Sequence, residues 1–321
     1  METLVGALGH NISFCFWQLI IAGCLIPLTW FGTPKHFWFI AYGATVATAS
    51  AAVLIVVYSI MDAPNQPIVH HQEPNAKKIA LALGTIVCAY SGHPVFLTVQ
   101  MDMKRIKDFK KAFSYALVIT TLIYLPVVFA GYFVYGKTLD ANVLNNLPSG
   151  GVSYTALLLV TFHLVLAFII VLNPMLQEVE LALHLSKEFT WKRCVVRFFV
   201  VVSILFVAET LPTFNDILSL MGGSSMIIIA FVCPPLFHMK MVKMKADADE
   251  QTAENQNAEA MQAPWDKQTK IIPMWKKVLN YAIMCIAVLA GLVISVSAII
   301  NIVSPESFSL PCYVNISWSA I

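Results

Sequence analysis

Residues 79–101 read IALALGTIVCAYSGHPVFLTVQM. The run holds no Asp, Glu, Lys or Arg and is long enough to cross a bilayer. It is nevertheless a poor continuous helix, because Gly84, Ser91 and Gly92 interrupt it and Pro94 follows His93. Glycine costs about 1 kcal/mol in a helix interior and proline about 3 kcal/mol. Pro94 would also clash with the carbonyl of residue 90 and remove an N–H. A broken backbone at membrane depth persists only where it is buried in protein or lines a water-filled cavity. Membrane transporters place substrates and ions at such breaks. A proline-kinked helix with a buried, hydrogen-bonded histidine is the plainer alternative. The gathering of Gly, Ser-Gly, His and Pro within about three turns favours a site.

The rest of the chain agrees with a membrane setting. Of its 321 residues, 58% are hydrophobic and 12% charged, against roughly 25% charged in soluble domains. We therefore expect an all-α polytopic membrane protein embedded in the lipid bilayer. A net charge of +2 gives no basis for nucleic-acid binding. Cys15, Cys24, Cys88, Cys233 and Cys285 lie in apolar runs and read as small buried hydrophobes, while Cys312 lies beyond the last span, so no disulfide framework is implied. The start, METLVGALGHNISF, lacks a basic region and runs into a span, so no signal peptide is expected. There is no HExxH, phosphate loop, GxSxG or metal-ligand spacing, and no enzymatic activity is expected. His70-His71 with Glu73 sits in a proline-rich external loop, and we expect no metal there.

Apolar run length gives eight expected spans: Ile12 to Trp30, Phe37 to Met61, Ile79 to Met101, Ala112 to Gly136, Val152 continuing towards Ser186, Cys194 to Ala208, Ile217 to Met239 and Val278 to Val303. If the spans alternate, one side receives all of the 20 basic residues except Lys77, Lys78 and Lys137, and that side is cytosolic. The glycosylation sequons at Asn11 and Asn315 then fall together on the opposite side. Residues 1–303 read as one transmembrane domain and residues 304–321 as a short non-cytosolic tail. Within the domain, residues 246–264 (ADADEQTAENQNAEAMQAP) have almost no large apolar side chain and read as a disordered cytosolic linker. Lys240, Lys243, Lys245, Lys276 and Lys277 flank it, placed to meet anionic headgroups.

The fifth span carries a second polar set in TFHLVLAFIIVLNPMLQEVE: His163, Asn173-Pro174 and Gln177. His163 and Gln177 lie close to four turns apart and share a face. Polar groups at membrane depth usually face a bundle interior and mark pathways or proton relays. Histidine titrates near neutral pH, which suits proton coupling, and an interhelical hydrogen bond is its structural alternative. Glu178 and Glu180 lie near the cytosolic end, where pairing with Lys187 or Arg193 is expected.

Taken together, GTIVCAYSGHPVFLTVQMDMK resembles the sixth transmembrane segment of the amino acid/auxin permease family, whose pattern runs G-T-x-x-F-A-Y-x-G-H-x-x-F-P-x-x-Q-x-x-M-K. FGTPKHFWFIAYGA is similar to that family's connection between segments four and five, and VLNPMLQEVE to its eighth. Cys88 and Leu97 depart from the pattern, where an aromatic and a proline are common. The resemblance covers residues 12–303. It implies a LeuT-like fold built from inverted repeats, here a partial one of family segments four to eleven, with segments one to three lacking. Those segments would supply half of the site, so we expect this chain not to transport by itself unless another chain provides them.

The resemblance further implies secondary active transport of amino acids, neutral ones by preference, by alternating access around residues 79–101. Gly84, Thr85, Ala89, Tyr90, Ser91 and Gly92 would face substrate. His93, His163, Asn173 and Gln177 would serve ion coupling or gating. No bound cofactor is implied beyond a co-transported ion. Sodium-coupled relatives carry a hydroxyl residue some two turns before the proline of segment eight, and no hydroxyl follows Thr161 there, so protons are preferred and sodium stays open. The plasma membrane and an acidic vesicle or lysosome both suit a proton-coupled carrier, and oligomeric state is not indicated. The alternative function is a non-transporting partner of full-length permeases. A seven-helix receptor fits poorly, because Asn173-Pro174 is followed by Gln177 where a tyrosine belongs, and no channel filter is visible.

Overall fold

The computed structural model describes residues 14–30, 37–185, 188–210, 214–256 and 272–304. Asn11, Asn315 and Cys312 lie outside them. The described residues form helices α1 (Phe14–Trp30), α2 (Phe37–Asp62), α3 (Ala76–Ala89), α4 (His93–Asp102), α5 (Phe109–Tyr135), α6 (Gly151–Ala182), α7 (Trp191–Thr210), α8 (Phe214–Met221), α9 (Cys233–Gln256) and α10 (Met274–Val303). The protein is an integral, multi-pass membrane protein: 6 helical stretches among the described residues are long and apolar enough to cross a bilayer. Two further expected spans are shorter or more charged. The first is seen as the 17-residue α1. The sixth is the 20-residue α7, which includes Lys192, Arg193, Arg197 and Glu209.

The interrupted third span forms as two helices. Asn75 opens α3 by accepting the Lys77 N–H at 3.0 Å. Helix α3 stops at Ala89, Tyr90 turns, and α4 starts at His93. Pro94 therefore does not kink a continuous helix. It stands in the first turn of a new one, where its missing N–H has no intrahelical partner to lose.

The seventh expected span departs from a simple helix. Between α8 and α9 the chain winds as two π-helical stretches, Gly222–Met226 and Ile228–Val232. Two adjacent glycines make the wider winding accessible at the first of these. Helix α9 then runs to Gln256, so residues 246–256 are helical where composition led us to expect disorder. A helix already nucleated by a span propagates cheaply through Ala, Glu and Gln, with no apolar core required.

The transmembrane domain consists of two compact units. One contains α1, α2, α5, α6 and α7, together with α4 from Val95 onward. It has two apolar centres. Ile55, Leu147 and Ala156 pack with Tyr58 and Val127; Leu172, Leu176 and Val201 pack with Ile26 and Phe168. The other contains α3, α8, the π-helical stretches, α9 and α10, centred on Ala80, Ile227, Ala287 and Ile294. Outward-facing Val53, Leu122, Phe133, Leu289 and Val293 are exposed, as lipid contact requires.

The loop after α2 is seated on the end of α5. Gly136, at φ +52°, follows α5 so closely that an added Cβ would meet Val69 Cγ1 at 2.5 Å. The Lys137 N–H donates to the His70 carbonyl at 2.8 Å. His71 stacks on Tyr132 with centroids 4.4 Å apart.

Candidate functional site

The sequence-derived site residues fall into two groups, one in each unit. In the unit of α3 and α8–α10, Gly84 is buried at a helix contact: a Cβ there would lie 2.6 Å from the Ser219 carbonyl oxygen and from Ile294 Cγ2. Thr85 is half-buried, its hydroxyl 3.1 Å from the Leu81 carbonyl and 3.0 Å from Ser219 Oγ. These two residues hold α3 to α8 and α10. Ala89 is exposed, whereas Tyr90, Ser91, Gly92 and His93 are half-buried.

The break itself is closed by short local hydrogen bonds. The N–H groups of Tyr90, Ser91 and Gly92 donate to the carbonyls of Ile86, Cys88 and Tyr90 at 3.2, 3.1 and 3.1 Å. The Ser91 hydroxyl turns back to the Val87 carbonyl. The last carbonyls of α3 and the first N–H groups of α4 therefore flank the interruption, and helix ends of this kind attract ions and charged groups.

In the unit of α1, α2 and α5–α7, His163 lies half-buried on α6. Its Nδ1 is 2.7 Å from Thr48 Oγ1 and 3.1 Å from the Ala44 carbonyl. The Thr48 hydroxyl donates to the same carbonyl at 2.9 Å. A carbonyl only accepts, so the arrangement that satisfies all three has Nδ1–H donating. The structural reading of His163, an interhelical hydrogen bond, is thus realised. Asn173 is buried on the same helix and Gln177 is half-buried.

The expected pairing of Glu180 with Arg193 forms at 2.9 Å. The larger part of this cluster was not legible in the sequence. Arg197 is 1% exposed, donates from Nε to Glu180 Oε1 at 2.5 Å and reaches the Thr29 carbonyl through Nη1. Two guanidinium groups share one carboxylate, and the Thr29 carbonyl at the end of α1 supplies further negative potential.

Four further groups were missed. Asp62, at the end of α2, is buried and accepts from Gln66 Nε2 at 2.5 Å and the Tyr135 hydroxyl at 3.5 Å. Glu209 is buried near the end of α7, and among the described residues its Oε1 has no hydrogen-bond partner. Asp216 is buried and accepts from Asn301 Nδ2 at 2.8 Å. Cys15 is disulfide-bonded, which corrects its reading as a single buried thiol. The only sequence signal for the three acids was their position at span ends, where exposure is the ordinary outcome.

Comparison with known proteins gives one family. A model for transmembrane amino acid transporter proteins matches residues 1–260. Amino acid transporter AVT3A of Arabidopsis thaliana is 30% identical over 50% of this chain and 37% of its own length. Auxin transporter-like protein 3 of Medicago truncatula is 25% identical over 70% of the chain and 49% of its length. Amino acid transporter AVT1J of Arabidopsis thaliana is 22% identical over 70% and 53%. The chain thus spans between about a third and a half of these relatives. No solved structure matches.

Proposed function

The chain belongs to the transmembrane amino acid transporter family, and from that premise we propose that it serves secondary active transport of neutral amino acids coupled to protons. The observation that carries this reading is the interruption at Tyr90–Gly92 inside the membrane-length stretch Ala76–Met101. Broken helices place backbone carbonyls and helix ends at membrane depth, where an amino acid's ammonium and carboxylate can be held without full hydration. Ala89, Tyr90, Ser91, Gly92 and His93 surround that break and form the substrate side of the site, while Gly84 and Thr85 support it through helix packing. His163, with Nδ1 held by Thr48 and Ala44, is the coupling group in the other unit. Asn173 and Gln177 lie on the same helix as polar companions for this role. Alternating access would proceed by rearrangement at the break.

The test has two readouts on the reconstituted chain. Neutral amino acids at about 100 times their dissociation constant should stabilise it against unfolding by about 2.7 kcal/mol. An acidic exterior should drive saturable uptake of a radiolabelled neutral amino acid into proteoliposomes. Absence of both effects overturns the proposal. The second reading is a chain that does not transport by itself and acts as a partner of full-length permeases. Stabilisation without uptake selects that reading.

A further inference from the structure

We propose that the basic segment Lys104–Lys111, where α4 gives way to α5, binds the phosphorylated headgroup of an anionic phospholipid, a role apart from the transport reading. Of its residues, Lys104, Arg105, Lys107, Lys110 and Lys111 are basic, against a single acid, Asp108. The segment follows the membrane-length stretch Ala76–Met101 and opens the next, Ile106–Thr138, so the chain turns here at the membrane surface. Basic clusters beside a transmembrane helix attract anionic lipid electrostatically.

All of these basic residues are exposed, and Asp108 is half-buried. Both ion pairs found among the described residues lie on Glu180, so none of the described carboxylates pairs with these cations. Lys110 and Lys111 stand in the first turn of α5, which holds no acidic residue, and Asp108 makes no side-chain cap. That turn is the positive end of the helix dipole, where cations are disfavoured and anions favoured. Lys107, three residues before Lys110 and four before Lys111, shares their face where the 3-10 turn Ile106–Asp108 runs directly into α5. Membrane orientation asks only that basic residues flank a span on one side. It does not ask for cations at this end of a helix, and an external anion answers both the charges and the dipole.

The segment is held in place from within the fold. Phe96 of α4 packs edge-on against Phe109 and Phe113 of α5, with ring centroids 6.0 and 4.8 Å away, and Phe109 stacks on Phe113. The Asp108 N–H donates to the Arg105 carbonyl at 3.0 Å. A turn fixed in this way loses little freedom on binding. Among the cations Ile106 is exposed, offering an apolar contact to a lipid's chains. The lysines of α9 are better compensated. Lys240, Lys243 and Lys245 lie inside that helix, and Asp247 follows Lys243 by one turn, at the spacing of an i, i+4 ion pair.

Titration of the full chain in a neutral detergent with dioctanoyl phosphatidylinositol bisphosphate, followed by native mass spectrometry, tests this. Saturable binding is expected, with dioctanoyl phosphatidylcholine silent. Lys107→Gln, Lys110→Gln and Lys111→Gln combined should weaken binding on the order of 100-fold, each cation near such a headgroup contributing about fivefold. Arginine at the same positions should retain it. Lys240→Gln, Lys243→Gln and Lys245→Gln combined should weaken it by less than about fivefold. Wild-type affinity in the first variant, or equal losses in the two glutamine variants, overturns the proposal. Inositol trisphosphate binding as tightly as the lipid overturns it in favour of a soluble polyphosphate. A first variant that melts lower without lipid yet keeps its lipid affinity overturns it in favour of the chain's own acidic stretch 247–259. Should the first variant aggregate, Lys104→Gln with Arg105→Gln decides: a loss on the order of 25-fold is expected, and wild-type affinity contradicts the assignment.

Discussion

In the unit of α1, α2 and α5–α7, the deepest polar contact between helices runs through long charged side chains: Glu180 of α6 meets Arg193 and Arg197 of α7, and Arg197 reaches the end of α1. In the unit of α3 and α8–α10, backbones themselves touch. A Cβ on Gly222 would be driven into the Gly84 carbonyl, and one on Gly291 would lie 2.6 Å from the Gly223 carbonyl. Within a bilayer, helix association draws on close packing and polar contacts, because lipid is as apolar as the side chains it replaces. The two units solve that problem differently. A side-chain cluster can change partners by rotamer changes, whereas a glycine contact has no side chain to move. The polar groups reflect the same division, with a guanidinium-rich cluster in one unit and, in the other, a Ser219–Thr85 hydroxyl contact and an Asp216–Asn301 hydrogen bond.

The contrast breaks most visibly if Glu180 is neutralised. Glu180→Gln removes the one carboxylate from two buried guanidinium groups, and loss of a partner from a buried pair costs about 3–5 kcal/mol. Unfolding in detergent, followed by loss of the monodisperse gel-filtration peak with temperature, should show the largest drop of any variant considered; unchanged melting would mean the cluster is not a structural lock. Gly222→Ala should come next. Its new methyl must displace backbone, and overpacking costs about 1–3 kcal/mol, occasionally more. The same melt reads this, and a neutral result would show that the backbone contact yields easily. Gly23→Ala sharpens the comparison from the other side. Nothing lies within 4 Å of a Cβ there, and alanine is the better helix former, so stability should change by no more than about 0.5 kcal/mol or rise slightly. A loss as large as that of Gly222→Ala would erase the distinction between the units.

Legibility from sequence followed the same boundary. The interruption at Tyr90–Gly92 was readable because Gly and Pro act on the backbone locally. Its mechanism was not, since Pro94 starts a helix instead of kinking one. Glu180 with Arg193 was readable as a pair because both flank one short connection. Arg197 bonding Thr29 was not, being 168 residues away on a different hairpin. That Gly84 and Thr85 also pack α3 against α8 was not readable from their place in a motif. The π-helical winding at Gly222–Met226 had only a double glycine to announce it.

By itself the sequence determined that this chain lives in a membrane, where its apolar runs lie, where one of them breaks and which family its motifs resemble. Those properties depend on composition and on neighbours along the chain. The tertiary structure alone decided that Asp216 meets Asn301, that Thr48 meets His163, and that Gly84 meets Gly222. The reason is the solvent. A membrane helix is apolar almost all round, so its sequence carries little periodic signal of which face turns inward. Register between distant helices is then set by where small residues let backbones approach and where polar groups find each other.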